Sequence, residues 1–278
     1  MIDGIFESEA PMRTTRIEWT ETTWNPVTGC TKVSPGCANC YAERMAKRLA
    51  GRAGYPKDNP FRVTLHHDKL KEPLGWTKSR MVFVCSMGDL FHRDAIAAGW
   101  TDDVFEVMTR PACAKHTFQI LTKRPDVALE WLDDNPRFSP PDGWDNLWWG
   151  VTVEDQERAW RIKELLQIPA AIRFVSLEPL LGPIDLEEAQ RDAITGRFID
   201  WCIVGAESGP RRRPCDNRWI AEIVEQCIAA GVSVFVKQIQ VKGKVVKEIE
   251  AISNLLGYAP EQLRQWPTSP APSSAPAS

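Results

Sequence analysis

Residues 147–177, LWWGVTVEDQERAWRIKELLQIPAAIRFVSL, hold the pattern that decides the fold class. LWWGVTV (147–153) and IRFVSL (172–177) are short, β-branched or aromatic, and apolar on both faces, whereas DQERAWRIKELLQ between them repeats its apolar residues at helical spacing. A strand that is apolar on both sides belongs inside a parallel sheet covered by helices, and a helical crossover between two such strands is right-handed. The alternation continues both ways. MVFVCS (81–86), TFQILT (117–122), DWCIVG (200–205) and VSVFVK (232–237) read as further strands. AGWTDDVFEVMTR (98–110), PDVALEWLDD (125–134) and NRWIAEIVEQCIAAG (217–231) read as helices of three to four turns. With TTWNP (22–26) as a first strand, the chain predicts an α/β fold, a partial or complete (β/α) barrel of about six to seven parallel strands rather than a flat doubly wound sheet. No Gly-x-Gly-x-x-Gly follows a predicted strand and no Walker sequence occurs, so ordinary nucleotide folds lose support.

The remaining bounds are consistent with one soluble unit. The chain has 278 residues, 43% of them hydrophobic, and no apolar run approaches the roughly 18 residues of a membrane span. Residues 1–15 read as a flexible arm without a signal peptide, 16–266 as one barrel domain, and 267–278 (PTSPAPSSAPAS) as a disordered Pro/Ser/Ala tail. A cytoplasmic protein without membrane contact is expected. The net charge of −3 and pI of 5.9 provide no global basic field, so any nucleic-acid contact must be local. Twelve tryptophans are many, but Trp131, Trp160 and Trp219 fall at helical core spacing and are expected to pack.

Eight cysteines without an export signal suit free thiols and metal ligation better than disulfides. Cys85, Cys113, Cys202 and Cys227 sit in apolar runs where cysteine behaves as a small hydrophobe. Cys30, Cys37 and Cys40 differ: in WNPVTGCTKVSPGCANCYAERMAKRLAG they form C-x6-C-x2-C and lead into a helix. Gly29, Pro35 and Gly36 let the loop turn tightly, and the helix start near Cys40 favours thiolates and bound anions. Three cysteines suit a [4Fe–4S] cluster with one iron left open. Zinc usually takes four ligands, which His66, His67 or Cys85 could complete, and it remains the alternative.

The cysteine loop after a first strand resembles that of the radical SAM superfamily over most of residues 16–240, with a longer first gap than the usual C-x3-C-x2-C. WNPVTGC…PGCANCYAERMAKR with SMGDLFH, ILTKRP, WWGVTVE, SLEPLLGPI and VGAESGP is more closely similar to a phage-associated three-Cys-motif family of unknown function, for which a separate three-Cys-motif partner protein is named. The superfamily resemblance implies that Cys30, Cys37 and Cys40 hold the cluster and that S-adenosylmethionine chelates the open iron. It also implies that an external donor supplies the electron that cleaves the cofactor to a deoxyadenosyl radical. The superfamily tends to place an aromatic residue just before the last cysteine, where this chain has Asn39.

In a parallel α/β barrel, functional side chains collect at the C-terminal ends of the strands. Ser86 and Asp89 stand where the superfamily binds the methionyl group, and capping of the following helix or turn is the competing role for Asp89. With Thr152, Glu154 and Glu178 they form the expected cofactor set. Lys123, Glu207 and Lys237 are the expected catalytic groups, and Arg124 with Arg211, Arg212 and Arg213 the expected contacts to an anionic substrate, a nucleic acid or nucleotide. The rival is a zinc-stabilised, phage-type nucleic-acid-binding protein without catalysis. The four histidines, His66, His67, His92 and His116, show no ligand spacing.

Overall fold

The computed structural model describes residues 15–190 and 198–268. The N-terminal arm, apart from Thr15, and the tail, apart from Pro267 and Thr268, lie outside the described residues. Ten strands occur among those described: β1 (Thr22–Trp24), β2 (Val27–Thr28), β3 (Thr64–Leu65), β4 (Met81–Val84), β5 (Thr117–Thr122), β6 (Leu147–Thr152), β7 (Ile172–Leu177), β8 (Trp201–Gly205), β9 (Ser233–Val241) and β10 (Lys244–Val246). Eight of them form one sheet in the order β1-β4-β5-β6-β7-β8-β9-β10, and β2 pairs with β3 apart from it. Every pairing from β1 to β9 in that sheet is parallel, and only β10 runs antiparallel, at the edge. The strand order never reverses, so the sheet is wound in one direction and is not doubly wound.

The helices follow from local chemistry. Pro125 occupies the first position of Pro125–Asp134, where its missing N–H costs nothing. The Asp216 carboxylate accepts from Arg218 N to cap Asn217–Ala230, which Gly231 ends with a left-handed φ of 68°. The expected helix over 155–167 is broken into a short turn, Gln156–Arg158, and a helix, Trp160–Leu165. The break shifts the helical phase: Arg161 takes the buried position and Trp160 is 45% exposed, contrary to the expectation that it packs in the core.

Alternate residues along each strand enter two clusters. Val82, Ile120, Trp149, Val175, Val204 and Val236 face the helices. Trp148, Phe174, Trp201, Ile203 and Phe235 face the other way and gather around Trp19, just before β1. The Trp19 ring lies 4.7 Å from Phe83 on β4, 6.3 Å from Phe174 on β7 and 6.2 Å from Trp201 on β8, so the sheet is curled around a concave aromatic face. Gly150 is required on that face, because a Cβ there would lie 2.4 Å from the Phe174 ring. The C-terminal segment covers one end of it: Arg264 bridges to Phe235, and Trp201 Nε1 donates to Gln265 O at 2.8 Å. Among the described residues, β1 and β10 are not paired with one another, and no helix is long and apolar enough to cross a membrane.

Candidate functional site

At the C-terminal ends of the strands the concave face changes from aromatic to polar. Side-chain alternation puts Lys123 on the side of Leu121, Thr152 and Glu154 on that of Trp148, Ser176 and Glu178 on that of Phe174, and Lys237 on that of Phe235. Thr152 and Ser176 stand opposite each other in the β6–β7 register. The polar end of this face is a mouth, and the loop carrying Cys30, Cys37 and Cys40 lies over it. Two glycines allow that approach. Gly29 has φ 89°, and a Cβ on Gly88 would stand 2.8 Å from Gly29 O. Gly36 is needed for closeness rather than for a turn, since its Cβ would meet Glu154 Oε1 at 2.3 Å.

Each buried acid at the mouth has a defined partner. Asp89 accepts Thr122 Oγ1 at 2.8 Å, Phe91 N at 3.1 Å, Lys123 N at 3.1 Å and Arg124 Nη1 at 2.9 Å. Arg124 continues to the cysteine loop, donating to Cys30 Sγ at 3.2 Å and to Thr31 O and Oγ1 at 2.9 and 3.0 Å. Its guanidinium is thus turned to the loop and the Asp89 carboxylate rather than open to a substrate. Glu154, fully buried, accepts Ser34 Oγ at 2.5 Å and Arg161 Nη1 at 2.9 Å, with Lys123 Nζ at 3.8 Å. Glu178 receives Lys237 Nζ at 2.7 and 2.8 Å and Gln238 Nε2 at 2.8 Å.

Glu207 accepts Arg213 N, Nε and Nη2 between 2.6 and 3.0 Å, and Asn39 Nδ2 at 3.2 Å. Burial acts to raise its carboxyl, but the bonds from Arg213 and Asn39 outweigh it and hold the group below the usual range. Arg213 also donates to Pro35 O at 2.9 Å, and Arg212 to Gly209 O and Gly243 O at 2.7 and 2.8 Å, so both order loops. Arg211 is exposed. Ser86 Oγ and Met87 N both donate to Asn25 Oδ1, at 3.1 and 2.9 Å. Asn25, Ser34 and Arg161 are the members that sequence reasoning missed, an arginine in the RAWRIKELL run being the visible hint, while Gln238 was noted only as ending the last strand and Asn39 only as standing where an aromatic residue was expected.

The three loop cysteines are free and half-buried. Burial first, then the Asp89 charge, pushes the Cys30 thiol up to about 11 despite Arg124. Burial also opposes ionisation of Cys37, but the backbone at Val33, the Lys123 charge and the Ser34 hydroxyl outweigh it and bring the thiol below its ordinary value. Cys40 immediately precedes the helix Tyr41–Leu49 and its partial positive end. Three soft donors with Arg124 and Lys123 beside them suit an anionic iron–sulfur cluster. No three His, Cys, Asp or Glu side chains among the described residues surround a point where one metal ion would sit. Cys85, Cys113, Cys202 and Cys227 are buried in the core.

A family model described as protein of unknown function (DUF5131) matches residues 14–254. The chain belongs to this family. The DUF5131 match takes in the whole cysteine loop and every acid of the mouth. No curated protein and no solved structure matches the chain.

Proposed function

We propose that this chain is a radical SAM-type [4Fe–4S] enzyme with the sheet as its partial barrel. The observation that carries the reading is the placement of Cys30, Cys37 and Cys40 on the loop that follows β1 and the short β2, over the polar mouth of a parallel sheet wound in one direction. Cys30, Cys37 and Cys40 would hold the cluster, which together with S-adenosylmethionine would supply reductive cleavage of the sulfonium bond. Arg124 donates a hydrogen bond to the Cys30 sulfur, and Lys123 sets a positive charge beside Cys37. Asp89, Glu154 and Glu207 are committed to Arg124, Arg161 and Arg213 and serve to hold the loops. Lys123 and the Glu178–Lys237 pair are still reached by solvent, with side chains 18–23% exposed, and Arg213, at 32%, keeps part of its guanidinium in water while bonded to Glu207. A carboxylate and two ammonium groups suit the zwitterionic methionyl end of the cofactor or an anionic substrate beside it.

The test is oxygen-free reconstitution followed by iron, sulfide and zinc analysis. The protein is expected to turn brown, to carry about four irons and four sulfides, and to lose them when Cys30, Cys37 or Cys40 is changed to alanine. Cys113→Ser and Cys227→Ser keep the cluster. Addition of a reductant and an external electron carrier then releases deoxyadenosine and methionine from S-adenosylmethionine. Colourless protein with stoichiometric zinc would overturn the reading in favour of a zinc-stabilised binding protein; a cluster without cofactor cleavage would leave an electron carrier.

A further inference from the structure

We infer that the rim of the mouth running from the cysteine-loop helix, across the 208–213 loop, to the β9–β10 turn binds the sugar–phosphate backbone of a single-stranded nucleic acid. The inference names a ligand for the enzyme proposed above, and the binding itself needs no cluster.

The first observation is the charge distribution. Residues 30–62 contain seven Lys and Arg against two acidic residues, in a chain whose net charge is −3, so the basic charge is concentrated here and not a property of the composition. One of those two acids, Glu43, is held between Lys32 at 3.4 Å and Lys47 at 2.6 Å.

The second is that separate basic segments adjoin. Helix Tyr41–Leu49 lies against the 208–213 loop, because a Cβ on Gly209 would stand 2.8 Å from Arg44 Nη1. Asn39 Nδ2 donates to Arg211 O at 2.8 Å, which places the exposed Arg211 beside the start of that helix. Arg212 then joins Gly209 O to Gly243 O, in the turn that carries the exposed Lys242 and Lys244. Residues distant in sequence thus form one continuous basic border on the side of the mouth where the last strands stand.

The third is an exposed ring within the border. Tyr41 is 61% exposed, and the Arg44 guanidinium lies over it at 5.8 Å. Arginine forks match phosphate oxygens, and an accessible aromatic face stacks an unpaired base. A lipid surface would also attract the charge, but membrane-surface elements present a broad apolar face for insertion. The large apolar side chains exposed along this border are Val33 and Tyr41.

The test is fluorescence anisotropy of a labelled single-stranded DNA of about 16 nucleotides, with the full chain both reconstituted and metal-free, between about 50 and 200 mM salt. Binding is expected to weaken with a log–log slope of about −3. The combined Arg44→Gln, Arg48→Gln and Arg211→Gln variant flattens that slope by about 2. Tyr41→Ala weakens binding about tenfold and leaves the slope alone. Lys115→Gln, at the N-terminal end of β5, changes neither. No binding at the lowest salt, an unchanged slope in the triple variant, or capture by phosphatidylserine vesicles without DNA binding would overturn the inference. Iron content, read on the same samples, reports on the cluster separately: a cluster without DNA binding sinks this inference alone, and DNA binding without iron sinks only the enzyme reading.

Discussion

Glu154 shows how a single carboxylate positions the cysteine loop. Its two oxygens are divided between Ser34 of the loop and Arg161 of the helix behind β6, and no water reaches it. Breaking a buried pair from one side leaves an uncompensated charge at a cost of about 3–5 kcal/mol. Arg161→Met should therefore destabilise the protein by about that amount in urea unfolding, and Glu154→Gln added to it should restore part of the loss. Equal losses in the single and double variants would mean that Arg161 matters by packing alone. Sequence reasoning found the acids of the mouth, because each follows a strand, but not their partners. Arg161, Arg213 and Lys237 lie 7, 6 and 59 residues from their acids, and Asn39 lies 168 from Glu207. Beyond the arginine in the RAWRIKELL run, the local pattern does not separate a buried guanidinium from a solvated one, so Arg124, Arg212 and Arg213 read as substrate contacts with no sign of the loop contacts they also make.

The cysteine loop is an element without regular structure, and its position depends on where backbone can approach backbone. Gly29 and Gly88 are bridged in parallel across the gap between the loop and the turn after β4. Gly88→Ala would force its Cβ into Gly29 O, and either the loop or the turn must move. Overpacking of this kind costs about 1–3 kcal/mol. The expected outcome is a lower urea midpoint together with faster alkylation of Cys30 and Cys37, whose cover is then loosened; an unchanged alkylation rate would mean the loop is held elsewhere. The regular elements were more legible. The strand runs and the helices over 100–108, 125–134 and 217–230 stand where periodicity placed them, because their apolar faces are long and unbroken. The edge strand β10 and the break before Trp160 were not visible: KVV is too short to show alternation, and the 155–167 run has helical spacing that the Asp155 cap overrides.

At the scale of the whole molecule the one-way winding of the sheet was legible from the β-α alternation and a curled sheet was expected from the strand count, but the stretches that fill its concave face were not legible. Trp19 and residues 264–266 meet the concave face from opposite ends of the chain, and neither stretch carries a strand signal. The same tight packing gives the fold an acid limit. His66 is buried with Nε2 at 2.8 Å from Thr28 Oγ1, and His116 is buried between the Trp76 and Phe118 rings. Burial holds both below the ordinary histidine value; Lys69 near His66 and Lys115 and Arg80 near His116 act in the same direction, and Asp68 opposes them at His66. The folded protein therefore binds fewer protons at these sites than the unfolded chain. Their contribution is complete above the unfolded value of about 6.5 and is lost as the pH falls through it toward the lower folded values. Each group adds up to about 1.4 kcal/mol per pH unit within that interval. Urea midpoints measured downward from pH of about 7.5 should fall once about 6.5 is passed, and His116→Phe, which keeps the aromatic contacts, should remove its share of the slope. A wild-type midpoint that stays level through this range would show that these two rings are charged at no cost, and that their surroundings are wetter than the packing around them implies.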